Sequence, residues 1–125
     1  MAELATIALN DATPTSQDFN PSMKDGLLAV LREDSGSDPA LYPSISLGMR
    51  APKAGVNRKV TGRILVPYET TTNDITTVEQ VSLFIDCVVP ETASTGTVAD
   101  AMAFGSDLLT NAIVEDAMQN GNFPY

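Results

Sequence analysis

Three of the chain's seven basic residues stand within eleven positions, in the stretch NRKVTGRILVP (residues 57–67), and no acid stands among them. Asn57, Lys59, Thr61 and Arg63 alternate along it. Ammonium and guanidinium groups interleaved with an amide and a hydroxyl do no covalent chemistry by themselves. Their chemistry is binding: the cations attract phosphate or carboxylate, and the neutral donors hydrogen-bond to whatever carries the anion.

The surrounding sequence has the opposite sign. The chain has 125 residues and a formal net charge of −9, and all sixteen acids lie at or before Asp38 or at or after Glu69. Between those limits Arg50, Lys53, Arg58, Lys59 and Arg63 give residues 39–68 a local charge of +5. The remainder holds two bases against sixteen acids, a charge of −14. A polyanion responds to the local field, which depends on whether these side chains share a face. Five cations that merely keep a sheet surface soluble would have the same composition, so charge asymmetry alone leaves both readings open.

Covalent catalysis is poorly served. There is no histidine, which removes Ser-His and Cys-His catalysis and the usual zinc sites. Cys87 is the only cysteine, so no intrachain disulfide is possible, and its run LFIDCVV reads as the place of a small buried apolar residue. The carboxylates are scattered as on a solvated surface. HExxH, Walker, GxGxxG and EF-hand patterns are absent. The expectation is a protein that is not an enzyme, with no catalytic residues, no metal and no cofactor.

The length fits one domain, 1–125. No run approaches the roughly 18 apolar residues of a membrane span. Met1-Ala2-Glu3-Leu4 lacks the basic start and apolar stretch of a signal peptide, so a cytoplasmic setting is expected.

The elements that must position the cations follow from period. Residues 4–20 suggest an N-terminal hairpin bounded by Pro14 and Pro21, and 27–33, LLAVLRE, a strand before the loop SGSDP. Three later segments alternate with period two, the mark of a strand with one buried face. They put Ile45, Leu47, Met49, Val60, Ile64, Val66, Val81, Leu83, Ile85, Cys87 and Val89 on one side of an antiparallel sheet spanning 27–90. Burying that side is worth roughly 20–30 kcal/mol gross, so something must cover it. The opposite side collects Ser44, Ser46, Arg50, Asn57, Lys59, Thr61, Arg63 and Phe84, with residues 57–63 spread over about 20 Å.

The expected cover is at the C-terminus, where 96–120 reads as two helices. Thr97 and Asp100 have the spacing of an N-terminal cap, and Val98, Ala101, Met102, Gly105, Leu108, Leu109, Ala112 and Ile113 form a stripe read as core. Asn111 caps the second helix, after a bend near Thr110, and Gly121 stops it. Strands first and helices last is an α+β arrangement. The segment YETTTNDITT (68–77) reads equally as a continuation of its flanking strands or as a long exposed loop for contacts between subunits.

With these elements in place the sequence resembles a coat protein of the single-stranded RNA bacteriophages, the levivirus group. The resemblance spans nearly the whole chain and rests on its length and on the order of TIALND, NRKVTGRILVP, DCVVP and LLTNAIVEDAMQNGNFPY. It implies an intertwined homodimer in which each subunit's helices lie over its partner's sheet. It also implies a T=3 icosahedral shell whose inner sheet surface meets RNA. The segment 68–77 falls where the family places a loop lining the symmetry axes. Many members also bind a hairpin at the start of the replicase gene and repress its translation.

Carried over residue by residue, Asn57, Lys59, Thr61 and Arg63 match the RNA-contacting strand, and Ser46 and Arg50 match its neighbour. Gly48 falls where a hydroxyl residue contacts a base. Ser82 falls where a tyrosine stacks on a base, and Phe84 where a polar residue is common. That departure weakens hairpin-specific repression or moves stacking to Phe84. Asp86 lies on the same side, in reach of orienting Arg63 or Lys59.

The resemblance implies a virion protein, assembled in the cytoplasm of a bacterial host. Its partners would be further copies of itself and single-stranded genomic RNA, with no membrane and no small-molecule substrate. The alternative is an RNA-binding module that does not assemble.

Overall fold

The computed structural model describes residues 4–13, 15–25, 27–50 and 57–122. Pro14 and Lys53 lie outside them, as does the FPY that ends the chain. The chain divides into two compact units, Met1–Val88 and Val89–Tyr125.

The first unit is a six-stranded antiparallel meander, each strand lying beside its neighbour in sequence. Its strands are β1 (Ile7–Asn10), β2 (Ser16–Asp25), β3 (Leu28–Arg32), β4 (Ser44–Arg50), β5 (Arg58–Thr72) and β6 (Ile75–Val89). The hairpin β1–β2 closes around Asp11. Its carboxylate accepts hydrogen bonds from the backbone N–H groups of Thr13 and Thr15, both at 2.9 Å, from the Thr13 hydroxyl at 2.6 Å and from the Gln17 amide at 3.0 Å. Four donors aimed at one carboxylate favour its charged form, and they hold Asp11 at a pKa of about 2, the Thr13 hydroxyl contributing most.

The sequence reads Pro21 as a boundary of the hairpin, yet β2 runs through it. The pairing of β1 with β2 stops at Ile7 opposite Phe19, and the register of β2 against β3 shifts between Pro21 and Met23. A proline is tolerated at such a bulge, where the ladder is already interrupted. The loop after β3 is ordered by a short 3₁₀ turn, Pro39–Leu41, whose cap Asp38 accepts from the Ala40 N–H.

The segment 68–77 is strand rather than loop. β5 and β6 run to Thr72 and from Ile75, joined by Asn73 and Asp74, both at positive φ (52° and 63°). Two consecutive left-handed residues make the hairpin turn whose twist matches its strands, and Asn and Asp tolerate that conformation better than other non-glycine residues. Across this hairpin the Thr71 and Thr76 hydroxyls lie 3.0 Å apart and the Tyr68 hydroxyl donates to Glu79 at 2.8 Å. That carboxylate raises the Tyr68 pKa above the usual phenol value.

The buried centre of the sheet is small. Phe19, Leu31 and Ile45 are enclosed, with Leu4, Ile7 and Ile64 packed against them, and Leu31 is fully buried. Farther along the same side the sheet stays open: Leu47, Met49, Val60, Val66 and Ile85 are exposed, and Val81 is 62% exposed. Cys87, expected to be buried, is half-buried.

In the second unit α1 spans Thr95–Leu109 and α2 spans Ala112–Asn120. The cap of α1 is Ser94, not Thr97: its hydroxyl accepts from the Thr97 N–H at 3.2 Å. Ser94 has the same capping chemistry three residues earlier, and starting there adds a turn of backbone hydrogen bonds. Asn111 caps α2 through the Ile113 N–H at 3.0 Å, Thr110 closes α1, and Gly121 at φ 72° ends α2, all as the sequence suggests. Among the described residues the apolar stripe, read as core, stays largely exposed. Neither helix has a buried residue, and Met102 and Phe104 are 68% and 74% exposed.

Two stability outcomes follow. Leu31→Ala removes the most enclosed side chain and should cost about 2–5 kcal/mol in urea-unfolding experiments. Because the folded pKa of Asp11 lies below its ordinary value, its contribution is complete above pH 3.8 and fades as pH falls toward about 2. An Asp11→Asn variant should lose part of the wild-type acid sensitivity in that window, measured as thermal midpoint against pH.

Candidate nucleic-acid interface

The cationic side is built by the register of β4 against β5. Ser44 pairs with Leu65, Ser46 with Arg63, Gly48 with Thr61 and Arg50 with Lys59. Between these pairs, Ile45 meets Ile64, Leu47 meets Gly62 and Met49 meets Val60. Alternation therefore sorts the two strands as expected: hydroxyls and cations on one face, with Leu65 the exception among them, and aliphatic groups on the other. β3 extends the first face, since Val30 pairs with Ser46 and Arg32 with Ser44.

β6 completes it. The turn at Asn73–Asp74 and the Thr71–Thr76 and Tyr68–Glu79 contacts set Arg63 opposite Phe84 and Thr61 opposite Asp86. Consistently, the Arg63 guanidinium carbon lies 5.2 Å from the centroid of the Phe84 ring. At that distance the cation is attracted by the ring's negative face. The sequence left Arg63 within reach of Asp86; in the structure its contact is the aromatic ring.

Of the residues singled out from the sequence, Ser46, Arg50, Lys59, Thr61, Arg63, Ser82 and Phe84 fall on this face by strand register. Asn57 stands one residue ahead of β5, and its carbonyl accepts from the Arg50 guanidinium at 3.1 Å, so Arg50 ties the start of β5 to the end of β4. Ser46, Lys59 and Thr61 are half-buried; Arg50, Asn57, Arg63, Ser82 and Phe84 are exposed. Arg58 projects to the other side of β5, so it leaves the cationic set.

A shallow hollow of about 430 Å³ lies on the face between β3 and β5, and Leu28, Gly48, Arg50, Lys59, Thr61 and Asp25 line it. Gly48 makes the room. A Cβ there would stand 2.9 Å from the Thr61 hydroxyl, which itself lies 3.4 Å from the Gly48 carbonyl oxygen. The hollow thus has cations and a hydroxyl at one side and Leu28 with the Asp25 carboxylate at the other.

Sequence reasoning missed Arg32. It sits in an apolar run, LLAVLRE, whose alternation is hidden because Leu28 and Val30 share its face. Its pairing with Ser44 brings a fourth cation to the face. Acids share the same side by register as well: Asp18 and Asp25 on β2, Glu69 on β5 and Asp86 on β6.

Compared as a structure, the chain is similar along nearly its whole length to phage particles. It superposes on a virus-like particle of bacteriophage AVE019 with a TM-score of 0.89 at 20% identity, covering 99% of this chain and 100% of that one. For a virus-like particle of bacteriophage NT-214 the TM-score is 0.84 at 21% identity, covering 99% and 100%. For the capsid protein of bacteriophage GA it is 0.69 at 22% identity, covering 98% of each. The chain has the RNA-phage coat protein fold. By sequence, no family model and no curated protein matches it. The fold accordingly persists where few side chains do, because the binary pattern of each strand, rather than its particular residues, specifies the sheet.

Within this coat protein fold, Gly48 and Thr61 should be energetically coupled. Gly48→Ala alone is expected to destabilise, because its methyl collides with the Thr61 hydroxyl. In a Thr61→Ala background the same change should be close to neutral. A double-mutant cycle by chemical denaturation should return a coupling of about 1 kcal/mol.

Proposed function

We propose that this chain is a capsid protein that pairs with a second copy, assembles into a closed shell and packages single-stranded RNA against the β3–β6 face. One observation carries the reading: the sheet is two-sided in opposite senses. One side presents Arg32, Arg50, Lys59 and Arg63 among hydroxyl and amide groups, while the other leaves Val66, Val81 and Ile85 exposed. The helices likewise leave Met102, Phe104, Leu108, Ile113 and Met118 exposed. Apolar surface of this extent marks an association site, and the fold is shared with chains that form virus-like particles.

In the proposed dimer, helices of one copy cover the apolar sheet face of the other, which removes both exposures together. Among the described residues no strand lies beyond β6, so its edge is available to pair with a second β6 and continue the cationic face across the dimer. Lys59 and Arg50 neutralise phosphates; Asn57, Thr61, Ser46 and Ser82 hydrogen-bond to sugar or base edges; Phe84 lies among them. Each contact is weak, and a shell repeats it many times, so binding becomes strong through multivalency. The acids outside residues 39–68 keep finished particles apart. The protein would then reside in the virion, with assembly in a bacterial cytoplasm in a T=3 shell. Recognition of a replicase hairpin is the narrower form of the same binding.

Size-exclusion chromatography and negative-stain microscopy of the expressed protein should show uniform hollow particles with a nucleic-acid absorbance signature. A monomer at high concentration would exclude the capsid reading and leave a non-assembling RNA-binding module. Lys59→Ala should weaken RNA binding and reduce the salt slope by about 0.7–0.9 for each phosphate that is no longer neutralised. An unchanged affinity and slope would remove Lys59 from the interface.

A further inference from the structure

The aliphatic side of the sheet has a groove with a cation at its rim, and α1 has an exposed aromatic ring bordered by two acids. We infer that these are partners across the dimer: Phe104 of the partner subunit seats in the groove, and the acids beside it meet Lys24. The inference rests on the dimer of the capsid reading above and deepens it, because it names the contact that fixes where the covering helix lies.

The groove has a volume of about 380 Å³, and Leu4, Ile7, Ala29 and Leu47 line it together with Lys24. Register explains this composition. Lys24 pairs with Ala29 and Ala29 with Leu47, so all three project to the aliphatic side. Ala29 is the short one, and it leaves the dip between its longer neighbours. Lys24 is exposed, and among the described residues only Arg58, at the start of β5, joins it as a cation on this side. A cation on a face that is to be covered needs a carboxylate in whatever covers it, because a charge taken out of water without a partner is costly.

The helices meet that requirement. No Lys or Arg follows Arg63 in the sequence, so the charged residues of α1 and α2 are all acids: Asp100, Asp107, Glu115 and Asp116. Phe104 is the one aromatic residue of the two helices, and it is 74% exposed. Asp100 stands four residues before it and Asp107 three after, which places all three on one strip of α1. By helical period Phe104 also extends the apolar stripe beyond Leu108, so the ring borders both the stripe and the acids. A large ring sunk among aliphatic groups, with charged groups around it, is the form that the strongest contacts of an interface take. A second copy supplies the ring and both acids on one helix, and its charge is complementary to the rim of the groove.

The test uses the full-length protein in dilute solution, with the dimer dissociation constant measured by analytical ultracentrifugation. Phe104→Ala favours the helix itself, yet it should raise that constant about 30-fold or more. Leu47→Ala, in the groove wall, should weaken the dimer as well. The double variant should fall short of the product of the two effects by about 2- to 100-fold, because the side chains touch. Val81→Ala, on the aliphatic side but outside the groove, should multiply with Phe104→Ala. Lys24→Glu should weaken the dimer more at low salt than at high salt, and Asp100→Lys or Asp107→Lys in the same chain should recover part of the loss. A cross-link covers variants that do not fold. One chain with Ala29→Cys and another with Phe104→Cys, both in a Cys87→Ser background, are co-expressed, and a short bismaleimide should join them. Independent effects of Phe104 and Leu47, or a cross-link that forms only when one chain carries both cysteines, would overturn the assignment and leave the dimer standing. A wild type that stays monomeric would overturn the dimer reading too.

Discussion

The register between β4 and β5 is the constraint on which the rest of this molecule depends. Side chains alternate with a period of two, so a slip by one residue would turn Lys59, Thr61 and Arg63 toward the aliphatic side and put Val60 and Ile64 in their place. The register is held at both ends. Ile45 and Ile64 meet beside the buried Leu31 and Phe19, and at the far end Arg50 bonds the Asn57 carbonyl. Between them, Gly48 admits the Thr61 hydroxyl at a distance no other residue would permit without a shift. Burial, a charged hydrogen bond and a steric fit thus specify the same pairing, and consistency among independent terms is what makes a single register win.

That register creates an imbalance within a single chain. The centre of the sheet is enclosed, but its aliphatic side becomes exposed toward β6, and the helices carry their own uncovered stripe. A monomer that left both in water would forgo several kcal/mol of burial, since each fully buried aliphatic side chain is worth about 1.5–3 kcal/mol. In the capsid reading proposed above, association covers both and leaves the opposite, cationic face open. Aliphatic and cationic groups are thus separated onto opposite sides of the same strands, which is how an acidic chain presents a basic face.

Much of this was legible in the sequence because the relevant signals are local. Alternation in β4, β5 and β6 identified both faces, and the cap at Asn111 and the stop at Gly121 stand as read. Other features were misread or left open for equally local reasons. Two capping candidates, Ser94 and Thr97, lie three residues apart, and only the backbone shows which one begins the helix. The threonine-rich segment 68–77 carries no Gly or Pro, so the Asn73–Asp74 turn was a weak signal against two plausible readings. Arg32 was hidden because apolar residues occupy both sides of β3, leaving no alternation to read.

What the sequence determined by itself is which side chains share a face, because pleating is a property of each strand alone. Which of them are neighbours was decided only by the tertiary structure. Arg63 meets Phe84, twenty-one positions later, because a two-residue turn and a particular cross-strand register put them opposite one another. A stripe of Met and Leu looks the same in sequence whether its own chain buries it or leaves it open, as α1 does. Pattern reports a side chain's preference for water or for apolar surroundings; the path of the backbone decides which surface, if any, is there to meet it.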